Sequence, residues 1–221
     1  MKTAVLIPCL DEESTVGKVV DDFKKVFPDA DIYVFDNSSK DDTFKIAEKH
    51  GAICRRESKK GKGYVVRRMF REVDADIYVL VDGDDTYDVS YAKRLVKEIE
   101  NGADMCIGKR LNYAQNSFIK RLGNKFINLY VKRIFRLKGD LDVLSGYRSF
   151  SRDFVKKAEL NSEGFDIDME MTLYAIMKKK KVTSLPVECK ERSDGSIRKR
   201  DAVVDWLVCL GCVSGMYWGR R

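Results

Sequence analysis

The sequence predicts an α/β domain: a mostly parallel sheet flanked by helices, with a further helix after it. Short apolar, β-prone runs recur at Thr3–Pro8, Asp31–Phe35, Ala52–Cys54, Ile77–Leu80 and Asp104–Gly108. Stretches of helical periodicity separate them, which is the pattern left by crossover connections in a parallel sheet. Three of the runs end in acidic residues, and sheets of this kind bind ligands beyond the carboxyl ends of their strands. With 221 residues, 44% hydrophobic and 35% charged, the chain is long enough for one sizeable core and too apolar to be disordered.

Taken in order, Thr3–Pro8 is an apolar strand and Cys9-Leu10-Asp11-Glu12-Glu13 its exit loop. Ser14 is the expected N-cap of a helix whose inner side carries Val16, Val19, Val20 and Phe23, ended by Pro28. The second strand ends in Asp36-Asn37-Ser38-Ser39-Lys40-Asp41-Asp42-Thr43, a helix runs on to about Lys49, and Ala52–Cys54 is a short third strand. His50, the one histidine, falls at a helix end, where it serves the helix dipole before it serves catalysis. Gly61-Lys62-Gly63 opens a helix over 64–73; its spacing excludes a Walker phosphate loop.

The fourth strand runs into Asp82-Gly83-Asp84-Asp85. Carboxylates crowded at a strand end repel one another unless a cation sits among them. Asp82 and Asp84, two apart across a glycine, can turn toward one point, and Mg²⁺ or Mn²⁺ takes one or two carboxylates together with substrate phosphates. Helices over 90–100 and 118–135 flank the strand Asp104–Gly108. On the second helix Leu122, Phe126, Leu129 and Tyr130 form an apolar stripe, expected to face the core, opposite a solvated basic face. From Lys109 to Gly139 there are nine Lys or Arg and no acid, a block that points to an anionic partner.

These motifs, in this order, resemble glycosyltransferases of family 2 with the GT-A fold. That family shows a strand ending in P-x-x-N-E, a second ending in D-D-x-S-x-D-x-T and a third ending in D-x-D; here they read IPCLDEES, FDNSSKDDT and VDGDD. Asp11 stands for the usual Asn and Asn37 for the second Asp. The resemblance implies that Pro8, Asp11, Glu12 and Asp36 hold the base and ribose of a nucleotide sugar. It implies that Asp82 and Asp84 hold metal and diphosphate, with Lys62 beside the donor. DVLSGYR at 142–148, GFDIDME at 164–170 and ERSDGSIR at 191–198 are similar to the branch that glycosylates polyprenyl phosphates.

That branch implies an acceptor phosphate, largely anionic at neutral pH, which needs positioning by Arg and Lys more than it needs a base. Arg110, Arg121, Arg148, Arg192, Ser196 and Arg198 are the candidates for it, and Asp82, Asp84, Asp142 and Arg148 are expected at the reacting centre. Residues 1–108 form the nucleotide-sugar half and 109–200 the acceptor half of a catalytic domain. The donor is read as UDP-Glc, UDP-GlcNAc or GDP-Man, with a lean to UDP, and inversion at the anomeric carbon is implied.

A sugar-hydroxyl acceptor, as in capsule or lipopolysaccharide assembly, is the alternative. It requires a general base, for which Asp142, Asp166 and Asp168 are available. A nucleic-acid-binding module is a distant third, since no such motif appears and the acidic loops repel phosphates. Residues 202–218 are seventeen residues with one acid, Asp205, flanked by basic pairs. That is short for a membrane span and fits an interfacial helix, a helix docking on a small membrane protein, or a core helix. The expected location is peripheral, on the cytoplasmic face of a membrane. Apart from a loose Cys209-x-x-Cys212 inside an apolar run, the six cysteines show no metal-type pairing and no disulfides are expected, nor is a signal peptide expected before the first strand.

Overall fold

The computed structural model describes residues 1–111, 118–137, 139, 141–190 and 202–218, with backbone alone for 118–121, 202–205 and 217–218. A seven-stranded sheet has the order β3-β2-β1-β4-β6-β5-β7. Its strands are β1 (Thr3–Cys9), β2 (Asp31–Asp36), β3 (Ile53–Arg56), β4 (Ile77–Leu80), β5 (Met105–Arg110), β6 (Arg148–Ser151) and β7 (Val182–Val187). The helices are α1 (Val16–Val26), α2 (Thr43–Lys49), α3 (Lys62–Glu72), α4 (Ala92–Glu100), α5 (Phe118–Ile134), α6 (Arg152–Lys157), α7 (Ile167–Met177) and α8 (Ala202–Trp218). All strand pairs are parallel except those made by β6, which runs antiparallel to β4 and β5.

Alternation along the central strands sorts the core into two layers. Val5 and Ile7 of β1 and Ile77 and Val79 of β4 pack under α1, α2 and α4. Ala4, Leu6, Tyr78 and Leu80 face the other way, under α3, α6 and α7. The order of strands reverses at β1, which carries β2 on one side and β4 on the other. A crevice therefore opens between the loops that follow β1 and β4, and the first and fourth acidic strand ends meet there.

Four elements had no sequence signal. β6 reads Arg-Ser-Phe-Ser and α6 is a six-residue turn of helix after it. β7 contains Pro186, tolerated because this strand is the sheet edge. α7 is buried along Ile167–Ala175 on all sides, so it shows no amphipathic period. It is enclosed because a third cluster, Ile127 and Val131 of α5, Met169 and Leu173 of α7, and Cys209 and Val213 of α8, covers its outer side.

That cluster settles where α8 sits and corrects the orientation of α5. One side of α8 is core, as the core-helix alternative has it. Trp206 Nε1 donates to Asn124 Oδ1 at 3.3 Å, and its ring lies against Gly123, where any side chain would overlap it. On α5 the buried side is Asn124, Ile127 and Val131; of the apolar stripe, Leu122, Phe126 and Leu129 face outward, while Tyr130 is half-buried against the third cluster. No described helix is long and apolar enough to cross a membrane.

Candidate active site

The loops after β1 and β2 are tied into one unit. Asp11 N–H donates to Ser39 Oγ (2.9 Å) and Lys40 N–H to Asp11 Oδ1 (2.6 Å); Glu12 N–H donates to Thr43 Oγ1 (2.7 Å). Asp11 and Ser38 take left-handed backbone, at φ 53° and 63°, which a short polar side chain tolerates best. Asp36 is buried at the end of β2, its carboxylate accepting the Ser39 N–H at 3.2 Å. Pro8 lies inside β1 opposite Phe35, beyond the register shared with β4. Ser14 does not cap α1. The cap position belongs to Thr15, whose hydroxyl instead donates to Gly83 O at 2.7 Å and so locks the first loop to the acidic one.

Asn37 explains its own departure from the family's second Asp. Its amide nitrogen donates to Lys59 O (2.7 Å) and Glu57 O (3.2 Å), and its oxygen accepts the Gly61 N–H (2.7 Å). A carboxylate could not donate to two carbonyls. The fastening sets the start of α3. Gly61 has φ 138°, and side chains at Gly61 or Gly63 would overlap the backbone of Ser162 and Glu163, with Gly63 N–H donating to Glu163 O at 3.0 Å. Glu170 holds that opposing strand of backbone in turn, accepting the N–H groups of Asn161 and Ser162, each at 2.8 Å.

The Gly-Lys-Gly turn thereby delivers Lys62 into the crevice, buried, with Nζ 2.7 Å from Asp82 Oδ1 and 2.8 Å from Asp168 Oδ2. Burial works against the ammonium, but the two carboxylates outweigh it and hold Lys62 charged. Burial raises the Asp168 carboxyl against the pull of Lys62. Asp82 also packs on Gly146, where a side chain would overlap its carboxylate. Asp84 is buried, and its Oδ1 accepts from Thr86 Oγ1 (2.6 Å) and Thr86 N–H (3.2 Å). Asp85, at φ 54°, turns away to Lys18 at 2.9 Å.

Among the described residues no group of three metal-binding side chains converges. Two carboxylates directed by a tight turn nevertheless fit a hard cation that draws its remaining ligands from water and a diphosphate.

The acceptor-side candidates fare differently. Arg110 and Asp142 form a two-pronged pair, Nε to Oδ2 at 2.6 Å and Nη2 to Oδ1 at 2.9 Å. Burial would raise the Asp142 carboxyl, but Arg110 outweighs it and holds it below the usual range. Asp142 is thus a buried partner of an arginine rather than an acid or base facing substrate. Arg148 corrects the expectation more sharply. It is wholly buried and donates to Ser145 O (2.8 Å), Val143 O (2.9 Å) and Thr172 Oγ1 (2.7 Å). No phosphate reaches it; it braces the 142–148 turn. The Arg121 side chain and Arg192, Ser196 and Arg198 lie outside the described residues. Asp168, considered only as a base, is the residue whose role the sequence hid, because its partner Lys62 is over a hundred positions away.

The acidic strand ends and the sheet order are those of a glycosyltransferase of the GT-A fold. The comparisons agree. The chain belongs to glycosyl transferase family 2, whose family profile matches residues 4–158. It is 52% identical over 119 residues to Protein RfbJ of Shigella flexneri, covering 53% of this chain and 92% of that one. It is 26% identical over 219 residues to the dolichol-phosphate mannosyltransferase of Pyrococcus furiosus, covering 92% of this chain and 61% of that one. Among solved structures, glucosyl-3-phosphoglycerate synthase of Mycobacterium tuberculosis, with Mn²⁺, UDP-glucose and phosphoglyceric acid, superposes with TM-score 0.81. That match has 17% identity and covers 98% of this chain and 80% of that one. The enzyme uses a nucleotide sugar.

Proposed function

We propose that the enzyme transfers a hexose from a nucleotide sugar to a polyprenyl phosphate at a membrane surface, with Mg²⁺ or Mn²⁺ held by Asp82 and Asp84. The observation that carries this reading is the outer side of the α5–α8 layer. Leu122, Phe126, Leu129, Leu207 and Val208 are between 41% and 64% exposed there. Lys125, Lys132 and Arg133 stand among them on α5. Phe126, Leu129, Tyr130, Arg133 and Ile134 line a shallow cavity of about 360 Å³ on the same helix. On α5 apolar side chains interleave with cations and the helix carries no acid, a mix that suits a bilayer with anionic headgroups. The likeness to a dolichol-phosphate enzyme over most of the chain supports the same acceptor class.

In the reaction, the bond from the anomeric carbon to the diphosphate breaks, the diphosphate leaves with the electron pair, and the acceptor phosphate oxygen forms the new bond. A divalent cation at Asp82 and Asp84 supplies positive charge opposite the leaving diphosphate. Pro8, Asp11, Glu12 and Asp36 line the base and ribose end, where the interlocked loops leave little to reorganise when donor arrives. Lys62 brings a buried ammonium to the diphosphate end. Because Asp142 already serves Arg110, a sugar-hydroxyl acceptor loses one of its three candidate bases. The phosphate acceptor needs none.

The deciding experiment supplies radiolabelled UDP- or GDP-sugars, Mn²⁺ and polyprenyl phosphate, then partitions the product. Label that extracts into organic solvent and is released as free sugar by mild acid is the expected outcome. Label that stays in water on an oligosaccharide would favour the hydroxyl acceptor instead.

A further inference from the structure

We propose that Lys62 is a resident counter-cation of the catalytic site, competing with the divalent metal for Asp82, and that Asp168 is the positioning residue that retains it once the metal has come. This rests on the reading of Asp82 as a metal and diphosphate ligand and extends it.

The single ammonium lies within ion-pair distance of two carboxylates, one on each side of the crevice. Asp82 follows β4 in the donor half, and Asp168 is in the first turn of α7 in the acceptor half. The two partners are unequal. The Asp82 side chain is 29% exposed, whereas Lys62 and Asp168 are buried together. A metal approaching from the crevice therefore reaches Asp82 and not Asp168. Asp168 Oδ1 has no hydrogen-bond partner among the described residues, so Lys62, its one direct ion-pair contact there, is the main offset to the cost of burying that carboxylate, with the charge of buried Arg148 adding to it. Backbone freedom is also spent here. The glycines on both sides of Lys62 lie against Ser162 and Glu163, so the ammonium cannot leave by moving its own main chain.

A divalent ion on Asp82 Oδ1 and an ammonium on the same oxygen repel each other. Metal without nucleotide must displace Lys62 from Asp82 and gains nothing in return. Metal with a nucleoside diphosphate brings new oxygens, onto which Lys62 turns while Asp168 keeps hold of it. The pair thus disfavours metal alone and favours metal together with donor.

The test measures Mn²⁺ affinity by electron paramagnetic resonance, with and without UDP or GDP, for the full chain. Lys62→Gln should bind Mn²⁺ alone about tenfold more tightly and Mn²⁺ with nucleotide about tenfold more weakly, the size of one charge-assisted contact. Asp168→Asn should act oppositely on the metal alone, weakening it, because Lys62 then has only Asp82. The double variant, which leaves no buried charge unpaired, keeps the test open if Lys62→Gln folds poorly; it should bind metal alone more tightly, as Lys62→Gln does. A residue with a purely structural role would shift all these affinities in one direction or none. Mn²⁺ affinity without nucleotide that is unchanged or weaker in both Lys62→Gln and the double variant would overturn the proposal. Asp82→Asn separates the two readings: if it leaves Mn²⁺ binding intact, the metal assignment fails and this proposal fails with it.

Discussion

The donor and acceptor halves of the molecule handle charge in opposite ways. Around the crevice the carboxylates are oriented mainly by neutral donors: Asp36 by the Ser39 N–H, Asp84 by Thr86, Asp11 by the Lys40 N–H. Such groups fix direction, while at Asp82 and Asp168 the charge is met by the Lys62 ammonium, a cation the crevice supplies itself. In the acceptor half the charges that look reactive in the sequence are consumed by the fold. Arg110 is paired with Asp142, and Arg148 is spent on two carbonyls and a hydroxyl. Among the described residues, exposed basic side chains stand on the outer side of α5, at Lys125, Lys132 and Arg133. An ionisable residue in a motif is thus a site candidate only when its partners in the fold leave it something to do.

The largest effect should come from the donor side. Asp84→Ala removes a carboxylate held by Thr86 and proposed above as a metal ligand, and turnover should fall about a hundredfold or more. Thermal stability should change little, since neighbouring acids then repel one another less. A variant retaining near-normal turnover, or wild-type activity that survives EDTA, would break the contrast between an open acidic site and a closed basic one.

Arg148→Met should behave in the reverse manner. The substitution leaves the Ser145 and Val143 carbonyls without a donor in a dry interior, at about 1–3 kcal/mol for each buried group. The expected result is a large drop in Tm and in soluble yield. Nucleotide affinity of the folded fraction, followed by calorimetry, should be preserved. If the variant were stable but raised the KM for lipid phosphate, Arg148 would belong to the acceptor site after all.

These two residues also mark what was legible. β1, β2 and β4 follow from short apolar, β-prone runs, because these central strands are buried on both faces, and the helices between them follow from periodicity, because each buries one side. The acidic strand ends follow from their position on that frame. β6 and α7 do not, since Arg148 and Ser149 are polar and yet wholly buried, and α7 is covered on every side. Periodicity reports a boundary between core and water, and neither element has one. The stripe on α5 was read correctly as a stripe but placed inward; Asn124 on the true inner side is polar because it receives Trp206 from α8, a contact no local pattern announces.

The exposed stripe sharpens the comparison from the acceptor side. Phe126→Ser and Leu129→Ser together should weaken partition onto vesicles containing anionic lipid, by about tenfold for each side chain that leaves the bilayer. Added salt should release the wild type only in part, because apolar contact is not screened. Undiminished vesicle binding in the double variant would assign the face to another occupant, such as a small membrane protein.

The smallest effect concerns Asp142. Burial opposes its ionisation, yet Arg110 prevails, so the folded carboxyl titrates below its unfolded counterpart at about pH 3.9. A depressed carboxyl contributes stability that is fully present above the unfolded value and is lost as the pH falls through the folded one. Asp142→Asn lacks that contribution and also leaves the Arg110 guanidinium less well matched. At neutral pH its Tm should lie below that of the wild type. As the pH drops below about 4, the wild type gives up the Asp142 contribution while the variant has none to lose, so the two melting curves should converge. If the gap instead stays constant into acid, the Arg110–Asp142 pair is held by packing and hydrogen-bond geometry rather than by charge. The acceptor half would then owe its closure to shape, and its contrast with the crevice would no longer be electrostatic.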